Sequence, residues 1–247
     1  MRPGSNPAEA VNYVASVVSG APGFWARLKA TLTDYVLLTK PRIVLLFGLT
    51  GAASMVMEGS LLSDPKRFWL VFVGMVLTAG SANALNQYLD RDIDAEMERT
   101  RVKRPLPAGR MEAENALFFA LVIGTVATVM LYVFGNALAA AIGVFTIAFY
   151  VGIYTMWLKR TTPYNIVIGG AAGATAPLIG WAAATGNISL GAWISFLIIF
   201  LWTPPHFWAL ALCVKDEYAG VSVPMLPVVK GEAATRRQIF GYTLVLI

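Results

Sequence analysis

Apolar residues in this chain come in blocks parted by short polar stretches. The blocks are about 20 residues long, the length a helix needs to cross the ~30 Å hydrocarbon core of a bilayer. They predict six membrane-spanning helices, at about 43–57, 68–89, 116–134, 138–158, 166–185 and 192–214. Lys40-Pro41-Arg42 opens the first, with proline where a first helical turn accommodates it. Gly135-Asn136 reads as a tight turn between the third and the fourth. Residues 238–247 read as a seventh span that stops after about three turns. A helix that short leaves backbone groups unsatisfied in lipid. The expectation is therefore six full spans, a truncated seventh, and a chain that continues past Ile247.

Two segments precede the spans. Residues 1–23 are rich in Gly, Pro, Ala and Ser and read as a flexible tail, with no long apolar core of a cleavable signal. Residues 24–40 are amphipathic, with Phe24, Leu28, Leu32, Tyr35 and Val36 on one side, as in a helix at the membrane surface. The organisation expected is a tail over 1–23 and one C-terminally incomplete transmembrane unit over 24–247. Its fold class is all-α, a polytopic bundle of transmembrane helices.

Composition agrees. Hydrophobic residues make up 57% of the 247 and charged ones 13%, against about 25% charged in soluble domains. The net charge of +5 would point to nucleic acid in a soluble chain. Here the bases sit in loops between spans, so the charge reports topology and no nucleic-acid partner is expected. Of the 19 lysines and arginines only Lys66 and Arg67 fall on the opposite side. The N-terminus, the loop after span two and the loop after span six should face the cytoplasm. A single cysteine, Cys213, excludes an intrachain disulfide, and its apolar run predicts a buried small hydrophobe.

Charge that topology alone leaves unexplained gathers at Asn86-Gln87-Tyr88-Leu89-Asp90-Arg91-Asp92-Ile93-Asp94, the end of span two. At about 100° per residue, Asn86, Asp90 and Asp94 share one helix face while Asp92 turns away. An amide and two carboxylates in a row are hard oxygen donors of the kind Mg²⁺ takes together with substrate phosphates. A solvated helix end is the plainer alternative for an isolated D-x-x-x-D. Arg99, Arg101, Lys103 and Arg104 follow at once. Arginine forks and lysine point charges suit phosphate oxygens, although basic residues at a loop also enforce topology.

A second acidic pair, Asp216-Glu217, follows span six on the same predicted side. Two acidic clusters closing on one site would hold metal across a diphosphate and stabilise it as a leaving group; an ordinary interfacial pair is the alternative. Span six also contains Trp202-Thr203-Pro204-Pro205-His206-Phe207-Trp208, with the one histidine of the chain. Ionisable groups inside a span are costly and mark function by default. The prolines remove backbone donors and should break or kink the helix. His206 is a candidate haem-iron ligand or proton carrier, with a packing histidine as the alternative. Trp202, Phe207 and Trp208 are candidates to wall a cavity or face a carbocation. The small residues from Gly169 to Pro177 read chiefly as a helix-packing surface.

Together these stretches resemble the UbiA-type intramembrane prenyltransferases. The first signature is Asn86-x-x-x-Asp90-x-x-x-Asp94 with Met97-x-Arg99-Thr100 and Arg104-Pro105-Leu106. Thr39-Lys40-Pro41-Arg42, Thr203-Pro204-Pro205-His206-Phe207-Trp208 and Pro224-Met225-Leu226-Pro227 resemble the branch that farnesylates protohaem IX. The likeness runs from about Tyr35 to the end. Two departures stand out: no second D-x-x-x-D follows Asp216, and three residues separate Thr100 from Arg104 where two are expected.

The resemblance implies a nine-span bundle, Mg²⁺ as cofactor, and farnesyl diphosphate and haem b as substrates. It implies metal binding by Asn86, Asp90, Asp94, Asp216 and Glu217, with Glu217 the better match of the last two. Diphosphate contacts would come from Asn86, Arg99, Arg101, Lys103, Arg104, Lys40 and Arg42, and the catalytic group would be Asp90, Asp94 and His206. The activity implied is a transferase making haem O for haem–copper oxidases, in a bacterial cytoplasmic membrane, with haem A synthase or oxidase assembly factors as partners. A prenyltransferase acting on an aromatic quinone precursor, or a membrane transporter, are the alternatives. His206 argues against the first, and the two candidate acidic clusters, both at one membrane face, argue against the second.

Overall fold

The computed structural model describes residues 23–221 and 223–247; the tail expected over 1–23 lies outside the described residues but for Gly23. Every regular element among the described residues is helical. α1 (Phe24–Thr39) ends at Lys40, which takes a left-handed backbone, φ 56°, and α2 (Pro41–Glu58) starts at once with Pro41 in its first turn. α3 (Pro65–Leu89) is capped by Asp64, whose side chain accepts from the Arg67 amide. Two short pieces, α4 (Arg91–Glu96) and α5 (Glu98–Arg101), follow its end. α6 (Ala113–Met130) closes in a π-helical turn, Leu131–Gly135. α7 (Ala137–Ala148), capped by Asn136, runs on as a π-helical stretch, Phe149–Leu158, and a last turn, Lys159–Thr161. Next come α8 (Asn165–Ala174), α9 (Ala176–Thr185), α10 (Leu190–Cys213), α11 (Lys215–Gly220) and α12 (Leu226–Leu246).

Among the described residues six segments are long and apolar enough to cross a bilayer: Pro41–Glu58, Pro65–Leu89, Ala113–Gly135, Ala137–Thr161, Asn165–Thr185 and Leu190–Cys213. Each expected span falls on one of them, with ends that differ by a few residues. Their outward faces carry Leu45, Phe118, Val129, Phe145 and Leu197, all exposed, as lipid-facing side chains are. Phe24, Leu28, Leu32 and Val36 of α1 are exposed, whereas Tyr35, expected on the same side, packs on the bundle against Phe119 at 4.9 Å.

Inside, α3 is the central post, packed on α1, α2, α6 and α7. α2 lies against α9 so closely that a Cβ on Gly180 would stand 2.5 Å from the Gly51 carbonyl oxygen. Ser54 holds this contact by bonding to the Gly51 and Pro177 carbonyls. At the end of the bundle away from α4, Arg67 donates to the carbonyls of Phe134 (2.7 Å) and Ala183 (2.9 Å), satisfying the last turns of two helices.

Four expectations are corrected. The prolines of span six do not interrupt it: α10 is continuous through Pro204 and Pro205. Both prolines are buried against protein, where such gaps in the backbone bonding of a membrane helix are tolerated. The break falls instead in span five, at Thr175, where Pro177 enters α9. Cys213 is exposed rather than buried, because α10 turns it away from the bundle at its last turn. The seventh helix begins well before residue 238, since α12 spans Leu226–Leu246 across a non-helical Gly231.

Candidate active site

The last turn of α3 delivers the buried Asn86 to the head of a cavity of ≈ 660 Å³, and the fully buried Asp90 caps the helix behind it. The Asn86 amide is used on both sides. Its Oδ1 accepts from Lys40 Nζ at 2.8 Å, and its Nδ2 donates to Asp90 Oδ2 at 2.6 Å and to Thr155 Oγ1 at 3.2 Å. Asp90 Oδ2 also receives Lys159 Nζ at 2.5 Å, from the end of α7. One turn on, Asp94 forms a close ion pair with Arg104. Thr100 ties this turn down by donating to the Asp94 carbonyl at 2.8 Å. Asp92 faces the other way, held by both arms of Arg160 at 2.9 Å. That hydrogen bond lowers its pKa to about 2.

The bases are set by their neighbours. Lys40 reaches inward from the left-handed residue between α1 and α2. Gln87 fixes that corner by donating to the Leu37 and Leu38 carbonyls, at 3.0 and 2.8 Å. Burial, and then the charges of Arg104 and Lys159, bring the Lys40 pKa down to about 7. Burial likewise holds the Asp94 carboxyl above its ordinary value, against the opposing pull of Arg104 and Lys159. The loop carrying Arg104 is braced from outside by Arg110. Arg110 pairs with Asp34 of α1 at 2.9 Å and donates to the Val102 and Lys103 carbonyls.

Below this polar head the cavity is apolar. Its walls include Phe47, Ala82, Tyr150, Tyr154, Ile199 and Phe207. The rings of Tyr150 and Tyr154 stack at 5.2 Å and 24°, both presented by the π-helical stretch of α7. Across the top, Ile93 and Met97 pack with Val223, Met225 and Tyr218, which joins the loop after α3 to the loop after α10.

The metal expectation can be tested on this geometry. Asp90 Oδ1 and Glu217 Oε2 are buried with no hydrogen-bond partner; Arg160 stands 3.9 Å from the first and Arg99 4.0 Å from the second. A buried carboxylate oxygen lacking a donor is an oxygen ready for a cation. Among the described residues no three His, Cys, Asp or Glu side chains gather closely enough to hold a metal by themselves. That suits Mg²⁺, which takes one or two carboxylates and completes its shell with water and phosphate oxygens. Asp90 fits this role by its free Oδ1, Glu217 offers a free Oε2 at the rim, and Asp94 lines the cavity with one oxygen already paired to Arg104, whereas the Asn86 amide is committed to Lys40, Asp90 and Thr155.

A family model described as the UbiA prenyltransferase family matches residues 44–247. The chain belongs to the UbiA prenyltransferase family. Among similar proteins, one of Gloeobacter violaceus named protoheme IX farnesyltransferase is 53% identical over 221 residues, 90% of this chain and 72% of that one. One of Thermosynechococcus vestitus with the same name is 52% identical over 220 residues, 89% of this chain and 69% of that one. The fold resembles a solved UbiA homolog from Archaeoglobus fulgidus bound to GPP and Mg²⁺, with a TM-score of 0.70 at 14% identity over 86% of this chain and 75% of that one. The same homolog bound to DMAPP and Mg²⁺ gives 0.68, again at 14% identity and the same coverage.

In this UbiA family member the structure brings together most of the residues singled out by sequence. Lys40, Asn86, Asp94, Arg99, Lys103 and Arg104 line the cavity, and Asp90 sits directly behind Asn86 and Lys159. Glu217 reaches the rim through Arg99. Four residues are not among those that line the cavity: Arg42, Arg101 and Asp216 are exposed on the loop side, and His206 is exposed on α10 beside the lining residues Trp202 and Phe207. The His206 ring lies flat on Trp202, at 4.2 Å and 16°, and Trp202 does line the cavity. Lys159 was missed as a site residue because in sequence it reads only as a topology charge. Tyr150, Tyr154 and Gln87 were missed because aromatic and amide residues in apolar runs carry no signal of their own.

Proposed function

We propose that this chain transfers the farnesyl group of farnesyl diphosphate to a vinyl carbon of haem b, giving haem O and diphosphate. The observation that carries the reading is the meeting of Asp94, Lys40, Lys159 and Arg104 at the head of one apolar cavity, with Asp90 paired to Lys159 directly behind. Its companion is the roughly 50% identity, over most of the chain, to proteins named for that activity.

The diphosphate lies at the polar head and the prenyl chain runs into the apolar part. Asp90 and Asp94 would hold Mg²⁺, which would supply positive charge to the departing diphosphate. Arg104, Lys159, Lys40, Lys103 and Arg99 contribute fixed donors where negative charge develops, the arrangement that contributes most to lowering such barriers. The C1–O bond breaks with its electron pair leaving on the diphosphate. C1 then carries allylic cation character beside the stacked Tyr150 and Tyr154 rings, whose faces favour a cation. The vinyl π electrons form the new C–C bond, and water adds to the resulting cation with loss of a proton. Trp202, with His206 stacked on it, and Phe207 form the aromatic wall on which a flat macrocycle lies. The membrane is the bacterial cytoplasmic membrane, and the head of the cavity opens to the cytoplasm, on the charge asymmetry of the loops.

The test is incubation of the purified protein with labelled farnesyl diphosphate, haem b and Mg²⁺, followed by mass analysis of the pigment. Hydroxyethylfarnesyl haem and released diphosphate support the reading. Label on an added phenolic acid, and none on haem, would instead establish an aromatic acceptor. Movement of the label across a sealed membrane without diphosphate release would make the protein a transporter.

A further inference from the structure

α3 sends three polar side chains to the cavity wall: Asn83, Asn86 and Gln87. Asn86 bonds to Lys40, Asp90 and Thr155, and Gln87 Nε2 holds the corner ahead of Lys40. Asn83 takes part in neither network. It lies inside a span, where a polar group is costly and calls for a reason. Its side chain is buried, with 5% of the residue exposed, and its Nδ2 donates to the Ala79 carbonyl one turn back at 2.9 Å. A carbonyl only accepts, so this bond fixes which way the amide points and leaves Oδ1 as the unused end. No donor among the described residues bonds to Asn83 Oδ1. Gln87 Oε1 also lacks a donor, but protein closes over it. Asn83 Oδ1 is not closed over in this way, and the space beside it is the cavity.

The level of Asn83 matters. It stands three residues before Asn86, about 4.5 Å down the α3 axis from the polar head. A prenyl chain whose diphosphate is held by Lys40, Lys159 and Arg104 has its first carbons here. The other α3 residues on the apolar wall are Ala79 and Ala82, which offer no polar group.

We propose that Asn83 positions the water that completes the product, its Oδ1 accepting a hydrogen bond from that water beside the haem vinyl group. The inference rests on the reading that haem b is the acceptor. Once the new C–C bond has formed, the inner vinyl carbon carries the positive charge. A lone pair of the water oxygen forms the C–O bond, and the proton released passes to the departed diphosphate at the head of the cavity. A neutral amide is too weak a base to take that proton, so Asn83 holds the water and the diphosphate receives the proton. Without a held water the same cation loses a proton from the neighbouring carbon to the diphosphate. The product is then an alkene, lighter than the hydroxylated pigment by one water.

The experiment supplies farnesyl diphosphate, haem b and Mg²⁺ to the purified protein and reads by mass the ratio of hydroxylated to dehydrated prenyl haem. A ratio of two products does not depend on how much of a variant folds. Asn83→Leu keeps the volume and removes the acceptor; Asn83→Ala removes the acceptor and leaves space. Both should shift the ratio toward the alkene by about tenfold, the effect of one lost hydrogen bond, while prenyl transfer continues. Thr203→Val removes a cavity-lining hydroxyl from α10 and should leave the ratio unchanged. An unchanged ratio in both Asn83 variants overturns the proposal, as does an equal shift in Thr203→Val. Loss of all prenyl haem in both variants, with farnesyl diphosphate still protecting them against thermal unfolding, would move Asn83 to the transfer step and also overturns it. If the unaltered protein prenylates no haem, the acceptor reading falls and this inference with it; an unchanged ratio in a protein that does prenylate haem overturns this inference alone.

Discussion

Lys159 Nζ lies 2.5 Å from Asp90 Oδ2, across 69 residues of sequence, with Asp90 fully buried. The pair joins α7 to α3 at the point where the cavity meets its charged rim. Removing one partner of a buried pair leaves a charge uncompensated, at a cost of about 3–5 kcal/mol. Lys159→Met should therefore lower the unfolding temperature in detergent and reduce turnover by about two to three orders of magnitude, the effect of losing a donor to developing charge. The double variant Asp90→Asn with Lys159→Met should regain most of the stability and none of the turnover. Recovery of activity in the double variant would remove Asp90 from the chemistry.

Metal dependence separates Asp90 from its neighbour Asp92. Asp90→Ala should insert and fold but form no product at any Mg²⁺ concentration, because Asp90 provides a buried oxygen that no protein donor satisfies. Asp92→Asn should disturb only the outward pair with Arg160 and leave Mg²⁺-dependent turnover within about threefold, as exposed pairs contribute little. Chelation should abolish product in the unaltered protein, with Mg²⁺ restoring it. Product formation assayed across a Mg²⁺ titration checks all three statements.

Gln87 acts on the site through Lys40. Its two bonds to the Leu37 and Leu38 carbonyls hold the corner where Lys40 adopts its left-handed backbone. Gln87→Leu removes both bonds, each worth about 1 kcal/mol net. The expected outcome is a KM for farnesyl diphosphate raised about tenfold with kcat changed little, the signature of lost ground-state binding. Steady-state kinetics at saturating haem b reads the split. A fall in kcat alone would make Gln87 part of the chemistry.

Arg110 braces the loop that carries Lys103 and Arg104. Its fork reaches Asp34 and two carbonyls at once, a geometry lysine does not reproduce. Arg110→Lys should behave like Arg110→Ala, with turnover down about tenfold or more and faster proteolytic cleavage between residues 98 and 110. Limited proteolysis of the purified protein would show this. Full activity in Arg110→Lys would mean that charge alone suffices.

The sequence made the spans legible because lipid imposes one simple demand, an apolar run long enough for a helix. It made Asn86, Asp90 and Asp94 legible because one helix turn relates them. What it hid depends on how separate helices meet. Lys159 and Arg160 are adjacent in sequence, yet one closes on Asp90 in the site and the other on Asp92 outside it. Arg101 and Arg104 belong to one basic run, but only Arg104 turns inward, as the chain leaves α5 and doubles back. The two prolines suggested a broken span six because proline removes donors; α10 runs through both, buried against its neighbours, all the same. His206 carried the strongest isolated signal and sits outside the cavity, one ring away from its wall.

The stretch Phe149–Leu158 winds in wider turns, with the Thr155 hydroxyl bonded to the carbonyl five residues back. Such winding stows surplus length without altering where a helix begins or ends. Trimming one residue from it would let the segment tighten and would swing Lys159 through roughly 100° at the rim, off its acidic partner and toward lipid. The register of a single lysine, and with it the charge balance at the mouth of the chamber, is thus written into how loosely one helix is coiled.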